Sequence, residues 1–95
     1  MKKAKKASAV IWFEEIPNVG KRMADDFKKM GIKSPAGLKG KDPFKLYQKI
    51  CVLTTSRQDP CVLDTYMAAV DFMNGGKPKP WWSFTTQRKK KYPGV

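Results

Sequence analysis

The sequence predicts a single all-α domain of about five helices, and three observations carry that prediction. Apolar residues recur at helical spacing, and no segment alternates apolar and polar residues long enough to argue a sheet. An oxygen-bearing side chain followed by proline also appears three times, at Ser34-Pro35, Asp42-Pro43 and Asp59-Pro60. In each pair the short side chain can accept from the first free N–H groups of a helix, while Pro at N1 arrives with its φ already set. Ninety-five residues suit one modest core. With 41% hydrophobic residues the chain can offset its ordering entropy, so wholesale disorder is not expected.

Taken in order, residues 1–7 read as a basic N-terminal tail, 8–76 as the helical domain, and 77–95 as a Pro/Trp segment with a basic C-terminal tail. Val10, Ile11, Trp12 and Phe13 suggest a short first helix over 8–15. A second runs from 20 to 30, its Val19, Met23, Phe27 and Met30 forming one stripe, and Gly31 sits where a C′ glycine belongs. A turn of helix follows at 35–39, then a helix over 43–52 with Leu46, Tyr47 and Ile50 inward. The longest helix spans 60–74, with Val62, Leu63, Tyr66, Val70 and Met73 at helical spacing, and Asn74-Gly75-Gly76 stops it. Lys77-Pro78-Lys79-Pro80 should be extended. Trp81, Trp82 and Phe84 fit a lid folding back on a small core, and Arg88-Lys89-Lys90-Lys91 reads as solvated.

The net charge of +12 is unevenly spread. Residues 1–7 carry four Lys and residues 77–91 six Lys or Arg, with no acid in either, whereas residues 8–76 contribute only +2. Basic ends on a nearly neutral body suit a polyanion, because each Lys that meets a phosphate releases counterions. An acidic protein or an anionic membrane surface would attract them equally, and solubility alone is the plainer reading.

Ile16-Pro17-Asn18-Val19-Gly20, followed by Lys21, Arg22, Met23 and Ala24, has the lettering of a hairpin that hands a new helix start to solvent. At such a start the free backbone N–H groups and the positive dipole end can hold a phosphate oxygen without reading bases. The candidate phosphate contacts are therefore Asn18, Val19, Gly20, Lys21 and Arg22, with auxiliary charge from Lys2, Lys3, Lys5, Lys6, Arg88, Lys89, Lys90 and Lys91. The competing reading is a turn that only joins packed helices, with Lys21 and Arg22 spent on Asp25 and Asp26 four residues on, and Asp25 engaging Lys29.

These residues resemble the helix-hairpin-helix of non-sequence-specific DNA-binding proteins, which implies a compact five-helix, SAM-like domain. The motif usually has Gly where this chain has Asn18; Asn tolerates positive φ next best. The run Gly31-Ile32, Ser34, Leu38, Asp42-Pro43 and Leu46 looks like the segment that often follows the hairpin. Arg57-Gln58-Asp59-Pro60-Cys61-Val62-Leu63, Ala69-Val70 and Trp81-Trp82 resemble the short bacterial pathogenicity locus proteins, some labelled mitomycin-resistance proteins, over roughly residues 10–84. The resemblance implies a fold and DNA binding, not a reaction.

Other chemistry finds little footing. Cys51 and Cys61 are the only cysteines and there is no His, so two thiolates cannot close a zinc site alone. Cys61, second in its helix, would feel the dipole and have its thiol pKa lowered, against the plainer reading of a small buried residue. No nucleophile, Walker or paired metal-carboxylate pattern occurs, so no enzyme, cofactor or metal is expected. No apolar run approaches the roughly 20 residues of a membrane span, and no signal peptide is visible, so the expected setting is cytoplasmic with reduced thiols. The expected protein is a monomeric, non-catalytic, sequence-independent DNA-binding module. The alternatives are an adaptor whose hairpin and aromatic lid meet a protein partner, and a thiol-dependent activity at Cys61. Exposed Trp rings could also stack bases of a single strand.

Overall fold

A computed structural model describes residues 2–95, and Met1 of the expected N-terminal tail lies outside them. Four α-helices form: α1 (Lys21–Lys29), α2 (Pro43–Leu53), α3 (Pro60–Met73) and α4 (Thr85–Lys91). Four short 3-10 turns link them, at Ala7–Ala9, Phe13–Glu15, Pro35–Leu38 and Trp81–Phe84, with no strand among the described residues. The radius of gyration is 12.3 Å, as close packing of a chain this size requires.

α3 is the hub. Ten of its residues, from Leu63 to Met73, are buried, so it is apolar nearly all round, as an interior helix must be. α2, α4 and the turns at 35–38 and 81–84 pack against it. Rings run through the centre from Phe13 to Phe27 (5.5 Å between centroids) and on to Tyr66 (5.3 Å). That chain locks the N-terminal segment to α1 and α1 to α3.

The helix starts of α2 and α3 follow from their Asp-Pro pairs. Asp42 accepts from the Phe44 N–H and Asp59 from the Cys61 N–H, both at 2.9 Å. Ser34 differs: its side chain caps nothing. The Gly37 N–H it would have served is already bonded to the Ser34 carbonyl at 2.9 Å, as a 3-10 turn demands. Gly31 ends α1 at φ 86°, the left-handed conformation expected of a C′ glycine. Gly76 is fixed by space, since a Cβ there would lie 2.8 Å from the Asp71 carbonyl oxygen and against its carboxylate.

Three expectations are corrected. The helix over 8–15 is absent; two 3-10 turns flank an extended stretch. The Glu15 carboxylate takes the N–H groups of Ile11 and Trp12, at 2.8 and 2.7 Å, which a helix would have turned back along its axis. Val10 and Ile11 are β-branched and resist helix as well. Residues 2–7 are also no loose tail: Ala4 donates to the Glu15 carbonyl at 2.8 Å, and Ala4 and Ala7 pack on the core. At the other end, the run from Arg88 to Lys91 is helical, and Arg88 is buried against α3. Its guanidinium donates to Asp64 at 2.8 Å, and the Thr85 hydroxyl donates to the other Asp64 oxygen at 2.8 Å.

Candidate nucleic-acid interface

The corner between Ile16 and Arg22 is a tight bend held from two sides. Val19 donates its N–H back to the Ile16 carbonyl at 3.1 Å and buries its side chain completely. From behind, the Lys3 ammonium donates to the carbonyls of Glu14, Ile16 and Val19, at 2.7, 3.2 and 2.6 Å. Desolvation by this packing draws the Lys3 pKa down, partly offset by the nearby Glu14 carboxylate.

From the front, Asn18 ties the bend to the extended segment some sixty residues later. Its side-chain NH2 donates to the Lys79 carbonyl at 2.7 Å, and its oxygen accepts the Trp81 N–H at 3.2 Å. Asn18 sits at φ 73°, the left-handed region that Asn tolerates better than other side-chain-bearing residues. A glycine could make the bend and not the tie.

Beyond the bend α1 begins without a lid. Gly20 is the N-cap, at φ −97°, and has no side chain to offer. Its carbonyl accepts the first helical bond, from Ala24 at 3.0 Å. No protein acceptor among the described residues takes the N–H groups of Gly20, Lys21, Arg22 or Met23. Gly20, Lys21 and Arg22 are exposed. Four adjacent donors at the positive end of a helix therefore face outward, flanked by two cationic side chains.

Neither cation is neutralised within its helix. No ion pair joins Lys21 to Asp25, Arg22 to Asp26, or Asp25 to Lys29 among the described residues, contrary to the spacing-based alternative. Arg22 instead donates to the Gln58 side-chain oxygen at 3.3 Å, in the loop that precedes α3. Trp81 is half-buried beside the bend, and Trp82 meets it edge to face at 5.7 Å while remaining 63% exposed. Phe84 alone of the three rings closes on the core.

The candidate residues thus divide. Gly20, Lys21 and Arg22 keep open donors; Val19 has spent its amide on the turn, and Asn18 has spent its side chain on the tie. Lys2, Lys5 and Lys6 are exposed, as are Lys89, Lys90 and Lys91, whereas Lys3 and Arg88 are structural. Sequence reasoning missed the Asp64–Arg88 pair. The signal was there: Asp64 stands inside the apolar face of the longest helix, where an acid survives only with a partner. Cys61 is half-buried, and desolvation followed by the Asp59 carboxylate pushes its thiol pKa up, opposite to the dipole effect expected. Among the described residues no cluster of His, Cys, Asp and Glu could hold a metal, and no helix is long and apolar enough to cross a membrane.

The family model described as pathogenicity locus matches residues 6–90 of the chain. The chain is also similar to the mitomycin resistance protein McrB of Streptomyces lavendulae, 42% identical over 73 residues that cover 77% of this chain and 70% of that protein. No solved structure matches it.

Proposed function

The chain belongs to the pathogenicity locus family, and on that footing we propose that it is a non-catalytic DNA-binding module acting through a helix-hairpin-helix. In this reading the first helix of the motif, and with it one member of a five-helix SAM-like domain, is reduced to the 3-10 turn at 13–15. One observation supports it above others: four neighbouring amides at an uncapped helix start have no protein acceptor among the described residues, and three belong to exposed residues. A phosphate oxygen is the acceptor such a start takes best, because the donors converge and the dipole adds to them. Lys21 and Arg22 then supply charge, and none of these contacts reads a base edge, so binding is independent of sequence.

Anisotropy titration with a labelled oligonucleotide tests this. Affinity falls linearly with salt on logarithmic axes, and Lys21→Glu combined with Arg22→Glu weakens binding by about tenfold or more at low salt. The same variant melts as the wild type does, since both side chains are exposed. Unchanged affinity in that variant would leave the corner without a role.

An adaptor that used the hairpin and aromatic lid would share the corner; a protein-binding reading on a different face has its own observation. Ile11 and Trp12 are 71% and 61% exposed and border a cleft of about 150 Å³ that two cations, Lys28 and Lys33, and one acid, Glu14, also line. Such a rim suits an apolar side chain on an acidic partner. It is the second choice, because the cleft is small and leaves the open amides unexplained.

A further inference from the structure

A second basic feature lies away from the corner. α3, α4, the segment between them and the turn at Lys41 and Pro43 border an open cleft of about 300 Å³, at the small end of ligand pockets. Its floor is apolar: Met67, Val70 and Phe84, all buried. Its rim carries three ammonium groups, Lys41, Lys79 and Lys91, against one carboxylate, Asp71.

That carboxylate is already engaged, by Lys79 at 3.4 Å. Lys41 and Lys91 have no acid within ion-pair distance among the described residues. Two of the three rim cations lie beside aromatic faces. Lys79 is 5.7 Å from the Phe84 centroid, and Lys91 is 5.6 Å from that of Tyr92, a ring itself stacked on Phe44. Asn74 adds a donor: its oxygen accepts the Gly40 N–H at 2.9 Å, which leaves its NH2 free for a ligand.

An apolar floor beneath two surplus positive charges selects a molecule that is flat and apolar at one end and strongly anionic at the other. Lysines suit a phosphate as point charges, without the planar match that favours Arg. The volume admits one nucleotide unit. We infer that this cleft binds a single phosphorylated nucleoside, its phosphate on Lys41 and Lys91 and its base over Met67 and Val70. The ligand is either a free nucleotide or the phosphorylated end of a strand. The site uses none of the amides at Gly20–Arg22 and stands whether or not they hold DNA.

The test is an amide chemical-shift titration of the full chain with deoxyadenosine 5′-monophosphate, deoxyadenosine and inorganic phosphate in turn. The monophosphate gives saturable shifts at Asn74, Phe84, Gln87 and Tyr92, and binds about tenfold or more tighter than either half alone. Lys41→Glu with Lys91→Glu, both exposed positions, weakens it by about tenfold or more. Lys21→Glu with Arg22→Glu leaves it unchanged, which separates this site from the corner. A 5′-phosphorylated trinucleotide that moves the same amides assigns the ligand to strand ends, and one that does not assigns it to free nucleotide. Equal affinity for inorganic phosphate alone, or monophosphate shifts on the wild type that fall outside the cleft, overturns the inference.

Discussion

α1 and α3 begin with the same problem and answer it in opposite ways. Each exposes a set of N–H groups that its own helix cannot use. At α3 the Asp59 carboxylate accepts one of them, Pro60 removes another, and just inside, Asp64 draws Arg88 and Thr85 onto the helix. At α1 the cap is Gly20, no side chain answers, and the two nearest charged residues are cations. The α3 start is closed by the protein's own anions; the α1 start is left open. A glycine there costs only a few tenths of a kcal/mol against a carboxylate cap, so the vacancy is cheap to keep.

The largest test of this contrast is to break the closed end. Arg88→Ala leaves Asp64, fully buried, without its cation. Loss of one partner of a buried pair costs about 3–5 kcal/mol, a large share of the stability of a domain this size. Urea unfolding should show it, with Lys89→Ala, one residue on and exposed, within about 0.5 kcal/mol of wild type.

A sharper test converts the open end into the closed kind. Gly20→Asp meets no atom within 4 Å of the new Cβ, and φ −97° suits any residue. The carboxylate would cap α1 and raise stability by about 0.5 kcal/mol. It would also occupy the proposed phosphate position, so DNA affinity should fall about tenfold or more as the melting temperature rises. A variant that gains stability and binds as before would disconnect the two.

The smallest effect concerns pH. Backbone N–H donors hold the carboxyls of Asp59 and Glu15 below their ordinary values, through Cys61 for the first and Trp12 and Ile11 for the second. A carboxyl whose folded pKa is lowered contributes stability above its unfolded value and loses it as pH falls through the folded one. Melting temperature should therefore drop on acidification below the usual carboxylate range. Asp59→Asn keeps a capping oxygen and removes one of the two titrations, so its curve should be shallower. The Gly20 corner has no carboxylate to protonate and adds nothing to that slope.

What could be read in the sequence was what depends on near neighbours. Asp42-Pro43 and Asp59-Pro60 specify helix starts within a turn, the stripe from Val19 to Met30 specifies a buried face, and Gly31 specifies a stop; all three stand in the structure. What could not be read depends on distant partners. The helix over 8–15 failed because Glu15 turned its carboxylate onto Ile11 and Trp12. Lys3 and Arg88 looked like solvated charge, since nothing local reveals three carbonyls eleven to sixteen residues away or a buried acid twenty-four residues earlier. The open donors at Gly20 were legible as a motif, but the occupation of Val19 by its own turn was a matter of geometry.

The amide of Asn18 has a consequence for how the molecule behaves as it opens. One side chain bonds both Lys79 and Trp81, so the bend and the Pro-Trp segment should gain and lose order together. Loosening of the segment that carries Lys79 and Trp81 would pass through these two bonds and slacken the loop at Asn18. Whatever grips the front of that loop would, by the same coupling, quieten the far end of the chain.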